Sequence, residues 1–187
     1  TPTSTPRPTA TPNQAATKQA QEMQAEVQSY FDAGYHETTD GAFDQFEDYE
    51  YEWAQLEWYR RFSLQGKAAD ITYSDFAFNA HFKWSSAYRN ADISGCGVTF
   101  AEQDNGDHYA AFLDRSKVLF AKTDEYYYPV GPTRGTGRVK FENPFDQPAE
   151  ADFTLIVKDA YAYVLVDGEL VGEYTLAQSR SNKGLIS

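Results

Sequence analysis

Few residues in this sequence are spaced for chemistry, and the clearest set is acidic. In Asp48-Tyr49-Glu50-Tyr51-Glu52 a carboxylate falls at every second position. On a strand, side chains alternate between faces, so Asp48, Glu50 and Glu52 would share one. That brings carboxyls towards the separation of about 5 Å used by a retaining glycoside-cleaving pair. The plainer expectation is a solvent-facing acidic edge with Tyr49, Tyr51 and Trp53 turned to a core. His36, His81 and His108 are scattered, without the His-x-x-x-His type of spacing that zinc uses. No Ser or Cys motif marks an activated nucleophile. Cys96, the single cysteine, lies between Gly95 and Gly97. It reads as a core thiol or as the partner of a cysteine outside this chain segment, not as a catalytic group.

Two further groups could bind. Asp104-Asn105-Gly106-Asp107 offers several oxygen ligands in one turn, the kind calcium takes, but lacks the rest of an EF-hand loop. An ordinary Asx turn is the competing expectation, and no other cofactor is indicated. Tyr126-Tyr127-Tyr128 before Pro129 reads as a loop. Aromatic faces stack on sugar C–H surfaces and anchor protein interfaces, with local packing as the alternative. Arg134 and Arg138, in the loop that follows, could hydrogen-bond an acidic sugar.

The elements that must carry these groups are strands. Residues 153–175 read as a three-stranded meander: Phe153, Leu155 and Val157 alternate with Thr154, Ile156 and Lys158, and Tyr161, Tyr163 and Leu165 with Ala162, Val164 and Val166. Lys158-Asp159 turns the chain once. Asp167-Gly168 turns it again, a pair suited to the positive φ of a type I′ hairpin, and Leu170, Gly172 and Tyr174 follow. In 75–84, Phe76, Phe78, Ala80, Phe82 and Trp84 occupy one face, and Ala77, Asn79, His81 and Lys83 the other. Cys96, Val98 and Phe100 begin a strand that returns through Tyr109, Ala111 and Leu113. Lys117 to Lys122 is another. Short strands with turn signals between them indicate an all-β sandwich.

Residues 1–12 have the Thr/Pro composition of an extended stalk able to carry O-linked sugars, or of a disordered tail. Residues 13–34 read as one helix, with Asn13 as N-cap and Gly34 as its stop. Its narrow apolar stripe, Ala16, Ala20, Met23, Val27 and Tyr30, could face its own domain or a partner helix. Hydrophobic residues make up 41% of the chain and aromatics 16%, enough for a packed, sheet-rich core. The net charge of −12 argues against nucleic acid and against an anionic membrane surface. No apolar run approaches the roughly 20 residues of a membrane helix.

Four stretches carry a more specific likeness: Asp75-Phe76-Ala77-Phe78; Gly95-Cys96-Gly97-Val98-Thr99-Phe100 with Gln103-Asp104-Asn105-Gly106-Asp107-His108-Tyr109; residues 153–172; and Lys183-Gly184-Leu185-Ile186. Together they resemble the concanavalin A-like lectin/glucanase jelly rolls of bacterial secreted proteins and lipoproteins, over residues 42–187. The resemblance implies an antiparallel jelly-roll sandwich, an extracellular location and binding of sugars or surface ligands. Glucanases of that family carry Glu-x-Asp-x-Glu on a strand. The Asp48–Glu52 stretch has another order and precedes the strands where that motif lies. Relatives continue past such a Gly-Leu-Ile strand into a final strand, with a second cysteine expected there where Gly-Cys-Gly is present. The expectation is therefore a sandwich whose C-terminal strand is incomplete in this sequence, or whose edge there is covered by another chain.

The expectation is thus a linker (1–12), a helix (13–34) and a jelly-roll β-sandwich (35–187). Its function would be non-catalytic binding of a glycan or cell-surface ligand, outside the cell and anchored to its surface. The alternative is a structural subunit of an extracellular assembly. Polysaccharide hydrolysis ranks last.

Overall fold

A computed structural model of the chain describes residues 14–48, 50, 70–86, 89, 95–114, 116–124, 126–131, 134–135, 147–177 and 183–187. Two compact units divide it, Thr1–Phe43 and Asp44–Ser187. The first holds helix α1, Gln14–Asp32, built from the strong helix formers of its Ala/Gln/Glu-rich sequence. Gly34 ends it at φ +81°. The Gly34 N–H donates to the Phe31 carbonyl and the Tyr35 N–H to the Tyr30 carbonyl, both at 2.9 Å. That pair is the Schellman arrangement, and it needs the left-handed backbone that glycine adopts without strain. On the predicted stripe Tyr30 is buried, Met23 and Val27 are half-buried, and Ala20 is exposed; Ala16 lies in the first turn. The Tyr30 hydroxyl donates to Glu26 Oε1 at 2.8 Å, one helical turn back.

The second unit is a two-sheet β-sandwich. Its strands are β1 (Phe76–Trp84), β2 (Gly95–Phe100), β3 (Tyr109–Asp114), β4 (Lys117–Asp124), β5 (Tyr126–Pro129), β6 (Arg134–Gly135), β7 (Ala149–Lys158), β8 (Tyr161–Val166) and β9 (Glu169–Thr175). One sheet has the order β1-β7-β8-β9, the other β2-β3-β4-β5, with β6 also on β4. Every pairing is antiparallel. The period-two pattern dictates the faces. Phe76, Phe78, Ala80, Phe82 and Trp84 stand opposite Val157, Leu155, Phe153, Ala151 and Ala149, and all but Ala80 belong to the core or pack against it. From the facing sheet, Val98, Phe100, Tyr109, Ala111, Leu113, Val118 and Phe120 enter the same core. Ring contacts tie the sheets at both flanks: Phe76 to Phe100 at 6.0 Å, and Phe120 to Tyr174, stacked at 4.2 Å.

The meander of β7, β8 and β9 forms as its pattern predicts. At the β8–β9 hairpin Asp167 and Gly168 both have positive φ, +51° and +78°, as a type I′ turn requires. The first hairpin turns on Asp159-Ala160, one residue later than expected, with Asp159 at φ +51° and its N–H held by Asp75 Oδ1 at 2.8 Å. The plain alternation of Leu170, Gly172 and Tyr174 does not hold. A register shift between Val164 and Leu165 sets Leu170 opposite Leu165 and Gly172 opposite Val164. The extra residue, Val171, packs on the core, and Leu170 turns outwards, 48% exposed.

Two other expectations change. Tyr126–Tyr128 is not a loop but strand β5, and Arg134-Gly135 forms strand β6. Tyrosine favours strands, and Pro129 is tolerated because β5 lies at an edge. The C-terminal segment meets the end of β2 and the residues beyond it, Thr99 being the β2 residue that it bonds. Gly184 bridges Tyr73, Leu185 bridges Glu102, and Thr99 and Ser187 exchange backbone hydrogen bonds at 2.7 and 2.9 Å. Ile186 is buried in the core. The second sheet thereby takes Greek-key order, with the returning segment beside the first of three hairpin-linked strands. The strand expected at Asp48–Glu52 lies mostly outside the described residues. Asp48 and Glu50 are exposed and outside any strand.

Candidate functional site

The free edge of β4 gathers most of the predicted binding residues. β5 covers one half of it, with Tyr128 opposite Lys122 and Pro129 opposite Ala121. β6 covers the other, with Arg134 opposite Val118. Tyr128 and Arg134 are thus four residues apart along β4, about 13 Å at the rise of a strand. The edge breaks between them for a local reason. The Val130 N–H donates to the Phe120 carbonyl at 2.8 Å, and Gly131 then takes φ +73°. The Tyr174 ring lies 3.4 Å from where a Cβ on Gly131 would stand. The edge therefore rests on the stacked Phe120–Tyr174 pair. Tyr128 is 46% exposed there, and Lys122 is half-buried. On its other side Lys122 faces Tyr109, which is fully buried and whose hydroxyl accepts the Ala177 N–H at 2.9 Å. Tyr126 and Tyr127 are placed on β5 by register with Asp124 and Thr123, and Arg138 lies outside the described residues. Such an edge offers an aromatic face beside a cation, which suits binding.

The other candidates do not join it. The ring of His81 lies on the outward face of β1, its Nδ1 2.8 Å from Asp152 Oδ1 and its Nε2 3.9 Å from Glu150. His108 is buried at the entry to β3, its Nδ1 donating to the Gly106 carbonyl at 2.8 Å. His36 belongs to the N-terminal unit. The 103–107 turn is closed on itself. Asn105 Oδ1 accepts the Asp107 N–H at 3.1 Å, Asn105 Nδ2 donates to Asp107 Oδ2 at 3.1 Å, and the Gly106 N–H donates to the Gln103 carbonyl at 2.8 Å. That is an Asx turn in which Asn105 Oδ1 and Asp107 Oδ2 accept hydrogen bonds from within the turn; Asp104 is exposed on it. Among the described residues, no three His, Cys, Asp or Glu side chains stand together as metal ligands.

Cys96 stands opposite Leu113 and packs against the core. Burial pushes its thiol up to about 12, so the nucleophilic thiolate is scarce at neutral pH. Tyr73 is also pushed up to about 12, first by burial and then by Asp44, whose Oδ2 accepts its hydroxyl at 3.1 Å. Both acids hold their protons more tightly folded than unfolded. The folded chain therefore binds more protons above the ordinary values of 9.0 and 10.0, and stability falls as pH rises through that range towards 12. The urea midpoint should be flat from neutral pH to about 9 and then decline, and Cys96→Ala should delay the onset. A midpoint that stays flat to the phenol range in the parent chain would contradict the placement of Cys96.

Sequence reasoning did not find Lys122. It reads as one polar position in an alternating strand, and nothing local announces that the register sets it beside Tyr128. No family model and no curated protein matches the chain. Among solved structures the chain is similar to the carbohydrate binding module CBM66 from Bacillus subtilis, with a TM-score of 0.49 and 15% identity over 63% of this chain and 68% of that one.

Proposed function

We propose that this chain is a non-catalytic, extracellular glycan-binding β-sandwich, held at the cell surface through its Thr/Pro-rich N-terminal stretch, and that the β5–β6 edge is where it meets sugar. The observation that carries the reading is the exposed ring of Tyr128 on a paired strand, opposite Lys122 and on the same edge of β4 as Arg134. An aromatic ring on a paired strand loses little entropy on binding, which suits the weak, repeated contacts of a polysaccharide. Of the acids a hydrolase would need, Asp48 and Glu50 are exposed on irregular chain, which favours binding over cleavage.

A glycan array followed by calorimetry on the best hit tests the reading. Tyr128→Ala should weaken binding about ten-fold, the effect of removing one anchoring ring worth about 1–2 kcal/mol. Tyr161→Ala, a comparably exposed ring at 43% on the other sheet, should leave it unchanged. Absence of binding to any glycan, or equal losses in both variants, would overturn the assignment.

A further inference from the structure

Charge is unevenly placed along this chain. Between Arg115 and Lys140 fall six of its 16 Lys and Arg and two of its 28 Asp and Glu, the pair Asp124 and Glu125. Six cations against two anions leave that stretch at +4 in a chain of −12. The same stretch supplies β4, β5 and β6. The edge that presents Tyr128 is therefore built from a basic segment of an acidic protein, and a local field of one sign draws ligands of the other.

Within that segment Lys122 lacks what other cations of the molecule have. Lys18 meets Glu22 at 3.2 Å, Lys83 meets Glu150 at 3.7 Å and His81 meets Asp152 at 2.8 Å. Lys122 is half-buried on β4, and among the described residues it has no ion pair and no hydrogen bond. A half-buried ammonium has given up part of its hydration, so it gains most from an anion brought to it. Its cross-strand neighbour is Tyr128, whose ring is 46% exposed and makes no ring contact among the described residues. Side chains directly opposed on antiparallel strands start about 5 Å apart at Cβ. A sugar lying on the Tyr128 ring can thus carry a substituent to the Lys122 ammonium.

We propose that the glycan taken at this edge is anionic, with a carboxylate or sulfate group on the sugar that stacks on Tyr128, and that Lys122 selects it. This rests on the reading of the β5–β6 edge as the glycan site. Lysine is a point charge without the planar fork of arginine, so it accepts either group. Arg134, opposite Val118, holds a second position on the same edge of β4. The net charge of −12 opposes the approach of a polyanion and keeps the affinity low. The telling quantity is therefore the preference for charged over neutral sugar.

Calorimetric titration of the full chain with two matched pairs tests it: tetragalacturonate against its methyl ester, and a carrageenan tetrasaccharide against its desulfated form. The charged member of at least one pair should bind about ten-fold tighter than its neutral partner, and the pair that shows it tells carboxylate from sulfate. Lys122→Gln keeps much of the stem and removes the charge. It should bring the charged sugar down to the affinity of the neutral one and leave the neutral one unchanged. Lys122→Arg should keep the preference, and so should Lys117→Gln, exposed on the opposite face of β4. Equal binding of charged and neutral sugars by the parent chain, or a preference that survives Lys122→Gln, would overturn the proposal and leave the glycan reading standing. No binding to any of these sugars would overturn it too, and the glycan array would then judge the wider reading alone.

Discussion

Gly97→Ala is expected to destabilise the sandwich by about 2–3 kcal/mol, although it adds a single methyl group to a strand. The methyl has nowhere to go. A Cβ at Gly97 would fall on the Ala111 carbonyl oxygen and stand 2.6 Å from Phe112 Cα. These are backbone atoms of β3, so no rotamer change relieves the overlap. β2 would have to lift from β3, loosening the ladder that pairs Val98 with Ala111 and Phe100 with Tyr109. Gly95 repeats the condition against the Leu113 carbonyl, which is why Cys96 is flanked by glycine on both sides. The urea midpoint measures the effect, with Gly41→Ala as control, since nothing lies within 4 Å of a Cβ there. Equal midpoints for Gly97→Ala and the parent chain would show that β2 and β3 do not approach so closely.

Phe100→Ala should cost more, about 3–5 kcal/mol, the range for deleting a fully buried ring. Phe100 has no exposed surface, and its ring meets those of Phe76 at 6.0 Å, Tyr109 at 5.4 Å and Phe120 at 5.9 Å. Phe76 comes from the other sheet, so the cavity would open where the two sheets are joined. Against a total stability of about 5–15 kcal/mol, the loss should bring the variant near its unfolding threshold at 37 °C. Phe112→Ala provides the contrast. It lies on the outward face of the neighbouring strand and is only half-buried, so its loss should be well below that of Phe100→Ala. Chemical denaturation of the pair decides: similar losses would mean that Phe100 does not hold the sheets together.

The candidate site was legible in part, and the reason is the range over which each signal acts. Tyr126–Tyr128 and Arg134 stand out by type, but their conformation does not. A run of tyrosines followed by proline and glycine is compatible with a loop or with an edge strand. What made it a strand was β4, whose free edge accepted both β5 and β6. The acidic run was clear as composition, and of its residues only Asp48 and Glu50 lie among those the structure describes, both exposed. At the C-terminus, Gly-Leu-Ile looked like the start of an unfinished strand. Where it lies depended on β2, more than eighty residues earlier, and on Gly184, where a Cβ would strike the backbone of Ala101 and Glu102.

By itself the sequence determined the helix with its glycine stop, the alternation that sorts β1 and β7 into an inner and an outer face, and the Asp167-Gly168 hairpin. Each of these rests on contacts within a few residues, on backbone φ or on the periodicity of side chains, and such terms need no knowledge of the rest of the chain. Only the tertiary structure decided that β1 pairs with β7 across more than sixty intervening residues, that Lys122 stands beside Tyr128, and that a bulge turns Leu170 outwards. Those outcomes depend on which strands become neighbours. That choice is made by burial of the whole core at once, through side chains such as Phe76, Phe100, Phe120 and Tyr174, and it leaves no mark on any local stretch of residues.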